Sequence, residues 1–313
     1  MIYGRARERG IVLIAVLWMS SLLIGFLVLV SQNSRTNAHM AQAISETSTE
    51  DVSVQSAVAL IKKGLLDLKK IHGEVDAGTA MAEIMSLPQW PEELEFSLLP
   101  NRGKINLKYL STANMRRILE NMQVETDQID ALIQAWIDWV DTDDNEMPMG
   151  AERDYYEGEG LPNRPANNFF QVPGEILFVR GFAEVFRGID VNQVFTVYGK
   201  HQGIDFSAAS TDTLRLIPGM TDEAIEAVAD ARGTVDLSKR SELSMLLDAP
   251  VFLEVRSWIT AAQAERIFTI VVYPRSESSP EYAYLEDIEI DPFWAGIKVL
   301  SVRPMARFDN RIR

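Results

Sequence analysis

The sequence contains no cysteine and only three histidines among its 313 residues, which excludes several kinds of chemistry. Without cysteine there is no disulfide bond, no thiolate zinc site and no cysteine nucleophile. His39, His72 and His201 lie far apart in the sequence and indicate neither a metal cluster nor a catalytic triad. The sequence therefore offers no motif for nucleophilic catalysis or for a zinc site.

Positive charge is also scarce. Thirty Lys and Arg residues stand against 45 Asp and Glu residues, a formal net charge of -15. A protein that binds nucleic acid needs a basic surface to neutralise phosphates, so we expect no nucleic-acid partner. The balance favours divalent cations or basic protein surfaces. Hydrophobic residues make up 47% of the chain, which is enough for a buried core.

An uncharged apolar run extends from Ile11 to Val30. About twenty residues of helix rise roughly 30 Å, which is the thickness of the hydrocarbon core of a membrane. Arg5, Arg7 and Arg9 precede the run, and basic flanking residues stay on the cytoplasmic side. The pattern predicts a single membrane-spanning helix, with the chain after it on the far side of the membrane.

Three interpretations of this amino-terminal segment remain open. A secretory signal peptide could be cut near the sequence AQA at residues 41–43, although its apolar run would be shorter than this one. A signal anchor that is not cleaved fits the hydrophobicity equally well. The junction "RERG/IVLIAVLW" resembles the type IV prepilin signal, in which a dedicated peptidase cuts after the glycine. That resemblance implies cleavage between Gly10 and Ile11.

The fifth position after this junction is Ala15, where type IV pilins and most pseudopilins have Glu. A carboxylate inside lipid is costly unless it is paired, so its absence indicates a subunit without a partner at that point. Among pseudopilins, this feature resembles the K-type minor pseudopilin of the type II secretion pathway.

A long helix is predicted to follow the apolar run. No proline occurs between Met1 and Ser86, and residues 11 to about 71 can form one helix, apolar in its first half and amphipathic in its second. A membrane anchor followed by a separate helix would give the same pattern. The apolar positions of the amphipathic half are Val54, Ala57, Val58, Leu60, Ile61, Leu65, Leu66 and Leu68.

The rest of the chain predicts strands on both sides of a helical block. The stretch "LEFSLLPNRGKINLKYL" predicts a hairpin, and helical patterns dominate from Ser111 to about Leu247, with Thr126 and Thr221 as predicted N-caps. The runs "RIFTIVVYP", "EYAYLEDIEID" and "AGIKVLSVRPMARF" predict three later strands. The expected class is α+β: a pilin-like long amino-terminal helix packed on an antiparallel sheet, with a large inserted all-helical domain.

The predicted boundaries divide the chain into five parts. They are a prepilin leader (1–10), a transmembrane helix (11–30), a periplasmic helix with the first strands of a pilin-like domain (31–107), an inserted helical domain with an acidic metal loop (108–262), and the returning strands (263–313).

The stretch "DWVDTDDNEMPMGAERDYY", residues 138–156, carries many carboxylates and one local cation, Arg153. Like charges held this close repel each other, so either the loop stays open in water or a cation sits inside it. Counting from Asp141, the residues at positions 1, 3, 5 and 12 have the side-chain spacing of an EF-hand loop. Position 6 is Glu146 where an EF-hand has Gly, which argues against a true EF-hand. A calcium site of another construction and a solvated acidic loop both remain open.

The longer stretch from "DWVDTDDNEMPMGAERDYYEGEG" through "LPNRPANNFFQVPGEILFVRG" resembles the signature region of the K-type pseudopilin. Members of that family bind calcium in this acidic region, so the resemblance implies a structural Ca²⁺ site here. The ligands carried over are Asp141, Asp143, Glu152 and Asp154, with Asp138, Asn145 and Asn167 as further candidates. We expect the aromatic residues around the loop to serve in packing; they are Trp136, Trp139, Tyr155 and Tyr156.

The segment "TLRLIPGMTDEAIEAVADARG" resembles a helix-hairpin-helix, a unit that often binds DNA phosphates through the backbone amides of its turn. Here Asp222, Glu223 and Glu226 follow the turn, and their charges would repel a phosphate. K-type pseudopilins carry the same kind of hairpin in the inserted domain, which implies a role as scaffold.

The resemblance implies a minor pseudopilin, without catalytic activity, that initiates and caps the pseudopilus tip during protein export across the outer membrane. The implied partners are the I-, J- and H-type minor pseudopilins, the major pseudopilin, the prepilin peptidase and secreted substrate proteins. The implied location is the inner membrane, crossed once, with the carboxyl-terminal domain in the periplasm. Two alternatives remain open: a minor pilin-like protein of a type IV pilus or DNA-uptake system, and a membrane-anchored periplasmic enzyme.

Overall fold

The computed structural model describes residues 52–165, 167–260, 265–275, 282–293 and 296–307. Within these ranges no helix is long and apolar enough to cross a membrane. The predicted membrane helix at 11–30 and the predicted cleavage site at Gly10 and Ile11 lie outside the described residues.

Helices are the most common regular structure in the described chain. The first, α1, is helical over the described residues 52–72. The others, in chain order, are α2 (Ala77–Met85), α3 (Thr112–Asn121), α4 (Thr126–Val140), α5 (Arg153–Gly158), α6 (Phe182–Val185), α7 (Val191–Val194), α8 (Thr211–Leu216), α9 (Asp222–Ala231), α10 (Arg240–Leu246) and α11 (Ala249–Val255). Two 3₁₀ helices cover Asn101–Gly103 and Pro173–Phe178.

Two separate sheets accompany the helices. The strands are β1 (Leu94–Pro100), β2 (Ile105–Asn106), β3 (Phe195–Thr196), β4 (Ile267–Pro274), β5 (Tyr282–Ile290) and β6 (Ile297–Arg307). The larger sheet is antiparallel in the order β1-β4-β5-β6, and β2 and β3 form a two-stranded parallel ladder. The α+β class predicted from the sequence is therefore confirmed, and so are the three late strands.

The hairpin predicted at residues 94–110 is wrong. Strand β1 pairs with β4, so that Leu94 faces Pro274, and β2 pairs with β3. Between them the chain turns through a 3₁₀ helix, where a Cβ atom at Gly103 would lie 2.2 Å from the carbonyl oxygen of Ala208. The turn therefore packs against a distant backbone segment, and β1 and β2 belong to different sheets.

The burial of the strands follows their place in the larger sheet. In the edge strand β1, the alternate residues Leu94, Phe96 and Leu98 are buried, which is the period-two pattern of a sheet with one covered face. In β4, which has a neighbour on each side, residues 268–273 are all buried. The helix α1 contacts the sheet through an ion pair between Lys62 and Glu286 of β5.

A second hydrophobic core lies among the helices that separate β1 from β4. It extends from Ile105 to Ile259 and includes Met115, Trp136 and Phe195 among its buried side chains.

Capping is as predicted at α9, where the Thr221 hydroxyl accepts a hydrogen bond from Ala224 N. The predicted cap at Thr126 is wrong by one residue, because Glu125 has the extended conformation of an N-cap and Thr126 is already helical.

A buried polar network joins the helical core to the larger sheet. Lys104, which is 3% exposed, donates one hydrogen bond to the Asn192 carbonyl oxygen and one to Thr269 Oγ1, each 2.7 Å long. Thr269 Oγ1 in turn donates to Asp287 Oδ1 at 2.6 Å. Burial lowers the pKa of Lys104 to about 8, and the negative charge of Asp287 opposes that shift.

The carboxylate of Asp287 is the centre of this network. Its Oδ2 accepts a hydrogen bond from Ser301 Oγ at 2.6 Å. Arg303 Nη2 lies 2.8 Å from the same oxygen, in an ion pair that lacks the alignment of a hydrogen bond. Asp287 is 3% exposed, so its charge is matched almost entirely by protein groups: Thr269 of β4, Ser301 and Arg303 of β6, and Lys104, which precedes β2.

Candidate functional site

The acidic loop, residues 138–152, begins in the last turn of α4. Asp138 lies in that turn and is completely buried, because the loop folds back over its carboxylate. Ala151 N donates a 2.8 Å hydrogen bond to Asp138 Oδ2, and Met147 N donates one of 3.2 Å to the same oxygen. One carboxylate thus fixes two points of the loop backbone.

Gly150 makes this fold of the loop possible. A Cβ atom at position 150 would lie only 1.8 Å from Asp138 Oδ2, well inside the contact distance of the two atoms. The glycine therefore lets the backbone approach the carboxylate closely enough for the neighbouring Ala151 to donate its hydrogen bond.

Beside Asp138, two more side chains have buried carboxylate oxygens without a hydrogen-bond partner within the described residues. They are Asp141, whose Oδ1 is buried, and Glu152, which is 3% exposed with both oxygens buried. Asp141 caps the carboxyl end of α4, and Glu152 occupies the N-cap position of α5. A buried carboxylate without a partner is costly, so this pair requires an explanation.

The electrostatics of the three groups reflect their closeness. Burial, and after it the negative charges of Asp138 and Asp141, raise the pKa of Glu152 to about 7. Burial also raises the pKa of Asp141, with the charges of Asp143 and Asp138 adding to the effect. Burial also raises the pKa of Asp138, and the two backbone N–H donors oppose that shift.

The helix α4 adds further negative charge next to these carboxylates. Its carboxyl end carries the negative end of the helix dipole, and its last turn contains no basic residue. Asp138 and Asp141 therefore sit where a cation would be favoured. This arrangement concentrates negative charge at one point of the molecule.

The remaining candidates lie nearer to the surface of the loop. Asp143 Oδ1 accepts hydrogen bonds from the backbone and side-chain nitrogens of Asn145, at 2.9 and 2.6 Å. Asn167 Nδ2 donates to the Asp143 carbonyl oxygen at 3.2 Å and to Asp144 Oδ1 at 3.0 Å. The backbone of Asn167 is left-handed, with a φ of 46°. Six of the seven predicted ligand residues therefore lie in the acidic loop or, in the case of Asn167, in a segment that contacts it.

Asp154 is the exception. It lies on the exposed side of the first turn of α5, and in the part of the chain that the structure describes it makes no hydrogen bond or ion pair with the loop. The described residues also include no ready-made group of three or more His, Asp or Glu side chains that could hold a metal ion. The donors that are present, the free oxygens of Asp141 and Glu152, nevertheless have the chemistry that Ca²⁺ prefers.

Aromatic side chains pack behind the loop, as predicted. Trp139 and Tyr156 are buried in an edge-to-face pair with ring centroids 5.4 Å apart, and Tyr155 packs against Tyr156 at 5.3 Å. Trp136 is buried in the same core. These residues form a rigid wall on which the loop rests.

Arg180 is a supporting residue that the sequence did not single out. Its Nη1 donates a 2.9 Å hydrogen bond to the Gly150 carbonyl oxygen, and its guanidinium lies 4.5 Å from the centroid of the Tyr155 ring. The only signal in the sequence was its place in the "FVRG" that ends the signature region. Arg180 holds the loop from outside, whereas the buried oxygens of Asp141 and Glu152 have no hydrogen-bond partner in the described part of the chain.

The helix-hairpin-helix is covered at its turn. Gly219, between α8 and α9, has a φ of 88°, and a Cβ atom there would lie 2.3 Å from Glu254 Cγ. Glu254 belongs to α11 and forms an ion pair with Arg117 of α3. An acidic side chain therefore packs on the turn whose amides would face a phosphate, which gives a physical reason against DNA binding here.

Residues 101–187 match the family model described as the type II secretion system (T2SS), protein K. The predicted resemblance to the K-type minor pseudopilins is confirmed. The matched segment contains the whole acidic loop together with Asn167 and Arg180. No relative among curated proteins matches this chain.

The fold is also similar to a chain in the crystal structure of the GspK-GspI-GspJ complex from the type 2 secretion system of enterotoxigenic Escherichia coli. The likeness has a TM-score of 0.61 at 14% sequence identity and covers 84% of this chain and 98% of that chain. At this identity it shows that the fold is shared. Together with the family match, it supports the role of a minor pseudopilin in a type II secretion system.

Proposed function

We propose that this protein is a K-type minor pseudopilin that initiates and caps the pseudopilus tip of a type II secretion system. The observation that carries the proposal is the protein K family match over residues 101–187, the segment that folds around the acidic loop. The likeness in fold to a chain of a GspK-GspI-GspJ complex supports it over most of the chain. The role is structural and needs no catalytic group.

The anchoring of the protein follows from its amino terminus. We infer a pilin-like arrangement, with one transmembrane helix at residues 11–30 and the rest of the chain in the periplasm. The helical residues 52–72, whose buried face includes Ala57, Ile61 and Leu65, support the inference of a helical spine. In this proposal, cleavage between Gly10 and Ile11 frees the spine to leave the membrane and enter the filament.

The partners are inferred from the likeness to the GspK-GspI-GspJ complex. We propose that this chain assembles with the I-, J- and H-type minor pseudopilins of its own system and, through them, with the major pseudopilin. The helical block between β1 and β4 adds bulk beside the sheet. Such bulk is compatible with a subunit at the tip, which has no neighbour above it.

We also propose that the acidic loop binds a structural Ca²⁺. The free oxygens of Asp141 and Glu152 are the first candidates to hold it, and the exposed carboxylate of Asp143 is the next. A bound divalent cation would neutralise the carboxylates that the fold encloses and would fix the loop against its aromatic wall. Burial first, and the charges of Asp138 and Asp141 second, disfavour the ionised form of Glu152, and a bound divalent cation would offset both effects.

Assembly tests the proposed role directly. The full-length chain is co-purified with the I- and J-type pseudopilins of the same system, and the mixture is examined by analytical sedimentation. We expect a complex that contains one copy of each of the three chains. A mixture that sediments only as separate chains contradicts the proposal, provided that I- and J-type chains bind each other in the same buffer. The alternative of an anchored enzyme predicts no such complex.

A further inference from the structure

A cleft with a volume of about 900 Å³ opens between the larger sheet and the helical block. Its walls come from the segment after β2, from the segment after β3, and from strands β4, β5 and β6. This size lies within the range of sites that hold small molecules or short peptide segments. The cleft is distinct from the acidic loop, since the two share no lining residue.

Three exposed cationic side chains line the cleft: Lys108, Lys200 and Arg266. No ion pair of these three occurs within the described residues. Unpaired cations grouped in this way stand out in a chain whose formal net charge is -15. The cleft therefore has a local charge opposite to that of the protein as a whole.

The acidic residues of the cleft do not cancel these cations. The carboxylate of Glu265 is occupied by backbone groups, because it accepts hydrogen bonds from Arg102 N, Arg266 N and Ile267 N. Glu289 is the one other acidic residue among the described lining residues. His201 adds no charge near neutral pH, because burial lowers the pKa of its imidazole.

Apolar and aromatic groups lie beside the cations. Tyr109 is 42% exposed at the mouth of the cleft. Leu300 lines the opposite wall, at a bulge in β6: Asp287 pairs with Ser301 and Ile288 pairs with Val299, which leaves Leu300 as the extra residue. A bulge of this kind redirects a side chain out of the regular alternation of the strand.

We propose that this cleft binds an acidic segment of a partner polypeptide, with the carboxylates of the segment paired to Lys108, Lys200 and Arg266. Tyr109 and Leu300 provide surfaces for apolar side chains between those carboxylates. A nucleic acid carries the same sign of charge as the segment but is disfavoured, because its continuous phosphates would also face the excess of 15 negative charges on the rest of the chain. The inference does not depend on the proposed secretion role, since it rests on the cleft alone.

Binding is measured by fluorescence anisotropy with the full-length chain. The probe is a labelled peptide in which Glu and Asp alternate with Leu and Phe, compared with a Lys-containing peptide of the same length and with a single-stranded DNA oligonucleotide of equal charge. We expect the acidic peptide alone to bind, with an affinity that falls as salt concentration rises. Carbodiimide coupling followed by mass spectrometry should join the peptide to Lys108 or Lys200.

Charge reversal in the cleft provides the decisive comparison. The double variant Lys108→Glu/Lys200→Glu should weaken peptide binding by about tenfold or more, because it removes two attractive charges and adds two repulsive ones. The matched control Lys63→Glu/Lys70→Glu makes the same change of net charge on the exposed side of α1 and should leave binding unchanged. Should the reversed cleft variant be unstable, Lys108→Gln/Lys200→Gln takes its place.

Any of three results overturns the proposal. Equal binding by the cleft variant and the control would mean that the peptide is held elsewhere. Binding of DNA as tight as that of the acidic peptide would mean that the cleft attracts any polyanion. Absence of peptide binding at low salt overturns it as well.

Discussion

Two groups of buried charges among the described residues are built in opposite ways. Around Asp287, carboxylate and cations are enclosed together: Lys104 and Arg303 balance the charge, and two hydroxyl groups bond to the carboxylate. In the acidic loop, Asp141 Oδ1 and both carboxylate oxygens of Glu152 are buried without a hydrogen-bond donor or an ion pair among the described residues. The described residues balance the charge of the first group, whereas they leave the charge of the second group unbalanced.

The difference shows how burial can serve two purposes. Enclosed ions of both signs hold parts of a fold together, because each supplies what the other lost on leaving water. Enclosed ions of one sign destabilise the protein unless something outside the chain neutralises them. The Asp287 network therefore links the sheet to the helical block, whereas the acidic loop is, in our proposal, a receptor for a cation.

The largest effect is expected when the balanced group is broken. Asp287→Ala removes the only buried anion between Lys104 and Arg303 within this network and leaves both cations enclosed. We expect the free energy of unfolding to fall by about 3–5 kcal/mol. Thermal or denaturant unfolding of the full-length chain measures it.

The control for that experiment lies on the same strand. Glu289→Ala removes a partly exposed carboxylate from β5 and should change the free energy of unfolding by less than about 0.5 kcal/mol. Calcium should alter neither difference. Equal effects of the two substitutions would show that the network contributes nothing special to stability.

An intermediate effect is expected when calcium completes the acidic group. Calcium at a hundred times its dissociation constant should stabilise the chain by about 3 kcal/mol, seen as a rise in melting temperature that a chelator reverses. Without calcium, the free energy of unfolding should fall as pH rises from about 4.5 to about 7. The reason is that folded Glu152 has a pKa of about 7, above its unfolded value of 4.5, so the folded chain binds more protons in that window.

Glu152→Gln separates these contributions. The variant should lose most of the calcium response and the part of the pH dependence that belongs to this carboxylate. Glu159→Gln, an exposed position just after α5, should keep both. A calcium response that survives in Glu152→Gln would exclude this carboxylate as a ligand.

The smallest effect is expected when the close approach of Gly150 to Asp138 is disturbed. Gly150→Ala places a methyl group 1.8 Å from Asp138 Oδ2, and the carboxylate cannot move without losing its bonds to the loop. We expect a loss of about 1–3 kcal/mol in the free energy of unfolding. Gly158→Ala, which has open space around the added Cβ, should be neutral or stabilising by a few tenths of a kcal/mol. Equal stabilities for the two variants would contradict the close approach.

Much of the fold could be predicted because its signals are local. Runs of β-branched and aromatic residues predict the strands β4, β5 and β6, and Thr221 has the residue type and position of an N-cap. The hairpin prediction after β1 was wrong. A turn sequence indicates that the chain changes direction, but it does not indicate which distant strand will pair with β1. The pairing of β1 with β4 joins residues about 170 positions apart.

The candidate site was predictable in composition and not in arrangement. The acidic residues predicted a loop that either stays open in water or holds a cation, and the family resemblance gave Asp154 the same rank as Glu152. In the structure Glu152 is 3% exposed, whereas Asp154, two positions later at the start of the same helix, faces solvent. The roles of Gly150 and Arg180 follow from contacts with residues 12 to 30 positions away, so no local pattern indicated them.

The sequence by itself determined the local chemistry of this protein: the excess of carboxylates, the absence of a cysteine or a catalytic triad, the alternation of helix and strand, and the likeness to a K-type pseudopilin. Only the tertiary structure decided which charges are enclosed together. Asp287 of β5 meets Arg303 of β6 and Lys104, which precedes β2, whereas Asp141 and Glu152 meet mainly other carboxylates. The reason is physical: an ionic group acquires its energy from what surrounds it in space, and those surroundings come from distant parts of the chain.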